Sequence, residues 1–500
     1  MTASPTRATA KPDRGFIWLA AAAVGGGVVA AEPRLAVLGG AASLVALTWR
    51  WPRVVVGMCA FAVLALRPTL DVFSERRLGL GPFTSNPAVV IGLCVLVAAT
   101  VIAIKRGRDG HTIWPGVTLL RAHLWLIACY AVAAFSGALL YGTHGMGVGL
   151  RELARMASVV SAFLVVLWWS EDSPQATSLG WAYVILGGVV PVSFALWQLT
   201  SGQGNLDVAG LNRLQGTFSH PNTFGPFLVP YILLALGGVR ASPPRGQLVR
   251  LVTAGALSVL VALTYSRTAV LVVLVALITF PVLQAPRFGP RALVGSALAA
   301  GVFGLFAWFL VGDLVVERFT GLRVGAEALD AVRTGEMENS LEWRLVTWSV
   351  LISYGMEHPA TGHGAGMTTE LNPIVNPESG LPFNAHNDFV RVFFEAGVLG
   401  LMTYVMYGLL IFRWSLYLAR RVRPQHAPTA YAVAATLGSM FFFTGGVPEF
   451  GTQTALQCQV LGMLALVTGT QTWNDRLGLG ARSGQGQDSE RSDQKADRGA

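Results

Sequence analysis

The chain has 500 residues, of which 53% are hydrophobic and only 13% charged. Soluble domains carry roughly 25% charged residues, so a soluble enzyme, a disordered chain and a coiled coil are excluded, and four cysteines with no CxxC pair make no disulfide scaffold. A net charge of +9 on a mean hydropathy of +0.54 then concerns orientation across a bilayer rather than nucleic acid.

A helix crosses the hydrocarbon core with about 20 mostly apolar residues. In chain order, hydropathy places spans at Phe16–Ala31, Leu35–Trp49, Val54–Leu66, Ala88–Ile104, Leu119–Tyr141 and Met156–Trp169. Further spans fall at Trp181–Leu199, Phe224–Val239, Leu248–Leu263, Thr268–Leu283 and Leu293–Val311, and three close the chain at Phe389–Phe412, Ala430–Phe443 and Leu456–Val467. The expected fold is all-α, a polytopic transmembrane bundle of about 12–14 spans with one large external loop containing short helices. Its divisions are a cytoplasmic N-terminus (1–15), an N-terminal bundle (16–312), the loop (313–388), C-terminal transmembrane helices (389–474) and a disordered cytoplasmic tail (475–500).

Basic clusters set the orientation. Arg7, Lys11 and Arg14, Arg50 and Arg53, Lys105 to Arg108, Arg240 to Arg250, Arg287 and Arg291, and Arg413 to Arg423 all fall on one face, which the positive-inside rule makes cytoplasmic. Both termini are then cytoplasmic, in a multi-pass protein of the plasma or inner membrane. Two stretches run against the pattern: Ser170–Ser178 is acidic on the basic side, and Arg67–Pro87 carries Arg76 and Arg77 outside.

The large loop is not of low complexity. Ser340–Tyr354 has Leu341, Leu345, Trp348 and Leu351 at helical spacing. A Gly/Pro-rich turn, Pro359–Gly366 (PATGHGAG), follows, and then an Asn/Pro-rich stretch to Asn387.

Charges at membrane depth are expensive and mark functional candidates. Arg151 and Arg155, four apart and so on one helix face, start a span on the external side; Arg213 lies in an external loop and Arg267 follows Ser266 between two apolar runs. Each can also snorkel to the interface. Guanidinium groups bind phosphate bidentately, so external arginines point to an anionic ligand such as a diphosphate. The helix start after His220, Pro221 and Asn222 adds backbone donors for the same anion. His386 sits at the end of the large loop, where a neutral imidazole can take a proton from a hydroxyl. His358 and His363 match no metal-ligand spacing, and no metal or other cofactor is expected.

These residues also carry a family resemblance. His386-Asn387, then Gly397 and Gly400, resembles the signature of O-antigen ligases and related polysaccharide polymerases. Arg213 with Gly216 and Asn222, the pair Ser266-Arg267, and Arg344, Trp348, Pro359, Gly362 and Gly364 are similar to that family's pattern in the same order, over roughly Arg151 to Phe443. The resemblance implies a GT-C-like membrane glycosyltransferase that moves a glycan from a polyprenyl-diphosphate carrier to an acceptor hydroxyl on the external face. It implies an inverting, metal-independent reaction, with His386 as general base and Arg213 and Arg267 on the diphosphate. Arg151, Arg155, Asn222, Arg344 and Asn387 would complete substrate binding. The partners are a polyprenyl-diphosphate-linked oligosaccharide, the bilayer, and a glycan, lipid or protein acceptor. Glu336, Glu338 and Glu342 are external carboxylates that can bind sugar hydroxyls or form a solvated face. Hydropathy alone also fits a transporter or flippase of lipid-linked glycans, which usually needs pathway charges deep in the bundle and often shows repeat symmetry, or a non-catalytic scaffold, which would not need His386.

Overall fold

The structure, a computed structural model, describes residues 33–73, 78–80, 83–85, 87–110, 117–206, 212–239, 242–289, 294, 300–306, 308–309, 312, 340–375, 382–443, 450–451, 453–473 and 475. The span expected at Phe16–Ala31 lies outside them, as do Arg76, Arg77, His111, Arg240, Glu336, Glu338 and the tail from 476.

The described chain is an all-α polytopic bundle. Its helices are α1 (Pro33–Arg50), α2 (Pro52–Phe61, extended by π and 3-10 turns to Phe73), α3 (Pro87–Arg108), α4 (Val117–Ser170), α5 (Pro174–Ser201), α6 (Pro221–Gly237), α7 (Pro244–Ala262) and α8 (Arg267–Phe288). The loop contributes α9 (Ser340–Gly355) and α10 (Thr368–Leu371); α11 (Asp388–Arg421), α12 (Ala427–Phe443) and α13 (454–473) follow. Two short antiparallel ribbons, Leu78–Leu80 with Phe83–Ser85 and Asn205–Leu206 with Asn212–Arg213, are the strand pairs among the described residues. Seven helices among them are long and apolar enough to cross a membrane.

Two of the long helices are hairpins. In α4, Gly142 adopts φ 61° and ψ −140°, outside the helical region. Its two arms run back against each other, because His123 stacks on Phe163 at 5.7 Å and a Cβ on Gly149 would meet that of Ala134. In α11, Gly397 (φ 66°, ψ −165°) reverses a short arm, 388–396, against the long one, so that Phe389 comes to 6.1 Å from Tyr404. The expected span Phe389–Phe412 is therefore a re-entrant arm followed by a span that begins after Gly397. Only glycine adopts these angles without strain, and a Cβ on Gly397 would lie 2.4 Å from the backbone of Ala360.

The core is centred on α13. Val460, Met463, Leu464, Ala465 and Leu466 are all buried, packed with Leu167 of α4, Phe227 of α6 and Val433 of α12. The outer helices reverse the soluble pattern. On α11, Leu399, Met402, Met406 and Leu409 form an exposed stripe, while Tyr404, Gly408, Ile411 and Ser415 face inward. An apolar stripe turned outward fits a lipid surface rather than water.

The basic residues gather at the end opposite the two glycine reversals. Arg106 reaches Glu171 at 3.5 Å and Arg53 reaches Asp172 at 3.8 Å. The acidic stretch that interrupts the charge pattern is thus the counter-charge of basic residues on its own side. Arg287, at the end of α8, donates to the carbonyls of Ala419, Arg420 and Val422, closing the C-terminus of α11.

Candidate functional site

The Gly/Pro-rich turn of the large loop sits on both reversals. Breaking a helix at Gly397 leaves carbonyls without intrahelical donors. The turn supplies them: His363 N–H donates to Phe394 O at 2.9 Å and Gly364 N–H to Glu395 O at 2.9 Å. In return, Val398 N–H donates to Pro359 O at 2.8 Å. The approach is close enough that a Cβ on Gly364 would lie 2.6 Å from Gly137 in α4. His363 is buried, accepts from Tyr141 Oη at Nδ1 (2.7 Å) and donates from Nε2 to the carbonyl of Tyr354 (2.7 Å). A carbonyl can only accept, which assigns the tautomer. Both nitrogens of His363 therefore hold the loop together.

His386 lies where this loop returns to the bundle. It has φ 48°, in the left-handed region that β-carbon-bearing residues seldom occupy. Its ring packs edge-on against Trp343 at 5.3 Å, and Trp343 stacks on Phe383 at 4.3 Å. Trp348 Nε1 donates to the carbonyl of Ala385 at 2.7 Å, pinning the preceding residue to α9. Burial, and then the charge of Arg344, push the imidazole down to about 3, so it is neutral at physiological pH. Glu342, on the same helix, is buried rather than part of a solvated face.

Asn387 caps α11: its Oδ1 accepts from the N–H groups of Phe389 and Val390 at 3.0 and 3.2 Å. Next to it begins a buried charge network. Asp388 accepts from Tyr404 Oη (2.9 Å) and Gly451 N–H (2.7 Å), and pairs with Arg391 at 3.4 Å. Arg391 also pairs with Glu395 (3.1 Å) and with Glu152 of α4 (3.4 Å). Glu152 receives a two-pronged contact from Arg155, whose Nη1 reaches Gln457 of α13 at 3.3 Å. Thr368 of α10 donates to Glu395 at 2.8 Å. A space of about 40 Å³ lies between Arg155, Arg391, Tyr404 and Gln457, enough for a water molecule or two. At about 1.5 Å per residue, Asp388 and Arg155 lie on the order of 13 and 20 Å below their glycine corners. Arg155 therefore sits well inside its helix, where the sequence placed it at a span start.

The other arginines form a second group. Arg213 Nε donates to the carbonyl of Thr264 (2.9 Å) and its Nη2 to Asn222 Oδ1 (3.1 Å). Gln198 Oε1 accepts from Gln215 and Gly216 N–H, and Gln198 Nε2 donates back to Gly216 O at 3.4 Å, fixing the loop that carries Arg213. Arg267 begins α8 three residues after Thr264, with the side chain of Ser266 capping that helix by accepting from Ala269 N–H. The structure thus joins Arg213, Asn222 and the Ser266–Arg267 turn into one corner, and Trp343, Arg344 and His386 into another. Arg151 belongs to neither: it is exposed, 4.0 Å from Glu370, which also meets His144 at 3.4 Å.

The buried network was missed by sequence reasoning. Its signal was present, since Asp388, Arg391 and Glu395 recur at helical spacing inside an apolar run.

Residues 252–405 match a family model described as O-Antigen ligase. No curated protein matches the chain. The matched segment takes in Arg267, Arg344, His386, the short arm of the Gly397 reversal and the start of the long one, and leaves Arg155 and Arg213 outside. Residues 252–405, running from α7 through the large loop into α11, are thus similar to the O-antigen ligase family and lie in an all-α membrane bundle.

Proposed function

We propose that this protein transfers a glycan from a polyprenyl-diphosphate carrier to an acceptor hydroxyl at the end of the bundle where the glycine reversals lie. The observation that carries this reading is the setting of His386: a neutral imidazole in a strained backbone position, walled by Trp343 and beside Arg344. The acceptor oxygen attacks the anomeric carbon, the bond from that carbon to the phosphate oxygen breaks, and configuration inverts. The acceptor proton passes to His386, and the diphosphate leaves with the electron pair of the broken bond. Arginines aimed at that growing charge lower the barrier by about 2–4 kcal/mol per donor. Arg213 and Arg267 are assigned to the diphosphate; the tether of Arg213 to Thr264 and Asn222 gives its guanidinium a fixed direction.

An imidazole near 3 is a weak base in the unloaded site, because a base works best near the operating pH. Arg155 is given a different role. Its contacts with Glu152 and Gln457 make it a support for α11 rather than a ligand of the carrier. No metal is required by this scheme.

The test is reconstitution in vesicles with a polyprenyl-diphosphate-linked oligosaccharide and candidate acceptors: a lipid core, a growing polysaccharide end and a Ser/Thr peptide. A covalent glycan–acceptor product with inverted anomer is expected, and His386→Ala should abolish it while the protein stays folded and inserted. Movement of the lipid-linked glycan with no covalent product would overturn the reading in favour of a transporter.

A further inference from the structure

Away from the glycine reversals, a cleft of about 570 Å³ opens between α5, α6, α7, α12 and α13. Its body is apolar, lined by Gly188 and Val192 of α5, Leu234 of α6, Leu257 of α7 and Val467 of α13. Its outer lip, Ile185 and Val189 of α5, is 60% and 51% exposed, so the cleft opens toward lipid. Tyr231 closes the deep end by donating to Val184 O at 2.9 Å and accepting from Gln459 at 2.6 Å. The other end is polar and basic, lined by Arg250, Thr253, His426 and Thr429. Arg250 is oriented there, with its Nε donating to Ser242 Oγ at 2.8 Å, at the C-terminal end of α6. Arg420, Arg421 and Arg423 follow on the neighbouring turn.

An apolar slot with a cationic mouth at the basic end of a membrane bundle matches one chemistry. We propose that this cleft binds an anionic glycerophospholipid of the leaflet facing the basic end, with one acyl chain along Leu234 and Val192 and the phosphate at Arg250. Four features support it. The slot has the volume of a ligand site. It is open sideways to lipid. Its basic groups, Arg250 and His426, lie at one end only. Its juxtamembrane arginines attract an anionic lipid surface. The carrier of the proposed reaction is a poor candidate for this slot, since its diphosphate would have to lie at the opposite end of the bundle.

The test uses the full chain reconstituted in phosphatidylcholine vesicles doped with a photoactivatable phosphatidylglycerol or a photoactivatable phosphatidylcholine of the same acyl chains. After irradiation, cross-linked peptides are mapped. Phosphatidylglycerol is expected to label 185–192 or 422–429 several-fold more than phosphatidylcholine. Arg250→Gln should reduce that preference to near equality without changing total labelling much, and Val192→Trp should block labelling of the cleft by both lipids. Circular dichroism and monodisperse elution identify variants that fold, and Thr429→Phe serves as a second blocking variant. Equal labelling by the two lipids in the wild type would overturn the proposal. So would labelling that survives both blocking variants. Because the readout is lipid occupancy, its outcome is separate from whether the protein transfers glycan.

Discussion

At His386 the backbone and the ring are constrained together. A non-glycine residue in the left-handed region costs about 1–3 kcal/mol and persists only where its surroundings hold it. Those surroundings are the Trp348–Ala385 hydrogen bond on one side and the Asn387 cap on the other. The depressed imidazole gives a signed pH expectation. Its neutral form, the form that accepts a proton, is present above about 3 and is lost only as pH falls through that value. The kcat/KM profile, which reports the free enzyme, should therefore be flat through pH 6.5 on its acid side. Arg344→Gln removes a charge that lowers His386, so the acid limb should move to higher pH. An unmoved limb would sever Arg344 from the imidazole. Asn387→Ala should cost about 1 kcal/mol through the lost cap, read as a lower Tm, with Asn387→Asp restoring most of it. That pair separates capping from substrate binding, because Asp retains the accepting oxygen at the helix start. The sequence made His386 visible by its place at the end of a polar loop. It could not reveal the cap, because an Asn before a helix reads the same whether it holds sugar or backbone.

At the scale of elements, the two reversals shape the site, and only one was legible. Hydropathy ended a span at Tyr141, next to the Gly142 reversal, but ran a single span from Phe389 to Phe412 through Gly397. The residues after Gly397 stay apolar, and hydropathy counts them the same whether a helix continues or folds back. The helix at Ser340–Gly355 was legible because Leu341, Leu345, Trp348 and Leu351 carry its period, and the PATGHGAG turn because of its glycines. What the turn does needed the partner strand of backbone at Phe394 and Glu395. Gly397→Ala should be damaging for two reasons, the positive φ and the contact with Ala360, together at least about 2 kcal/mol. It should lower Tm and release the loop to protease, whereas Gly147→Ala, with open space around it, should do neither. The charge network makes the same elements one unit. Three carboxylates, Glu152, Asp388 and Glu395, share Arg391. Removing one partner of a buried pair leaves uncompensated charge and costs about 3–5 kcal/mol. Arg391→Leu should thus unfold or strongly destabilise the protein, while Arg151→Ala, at the exposed rim, should change Tm little.

Across the whole molecule, orientation follows from charge and needs a direct check. The basic residues of α1, α3, α8 and α11 end on one side, and both glycine corners end on the other. On the proposed reading, inside-positive bias puts His386 and the large loop outside, where a lipid-linked donor would meet its acceptor. The apolar face of α11 and the buried helix α13 fix depth but not direction, since a bundle can be inserted either way up. Single cysteines settle it. In a background with Cys59, Cys94, Cys129 and Cys458 replaced, Glu370→Cys on α10 and Gly110→Cys after α3 should behave oppositely toward a membrane-impermeant maleimide in intact cells. Glu370→Cys should label before lysis and Gly110→Cys only after it, because one lies beside Arg151 near the Gly142 corner and the other among the basic residues that follow Lys105. The reverse order would place His386 on the cytoplasmic side, and external transfer would then be ruled out whatever the chemistry of the site.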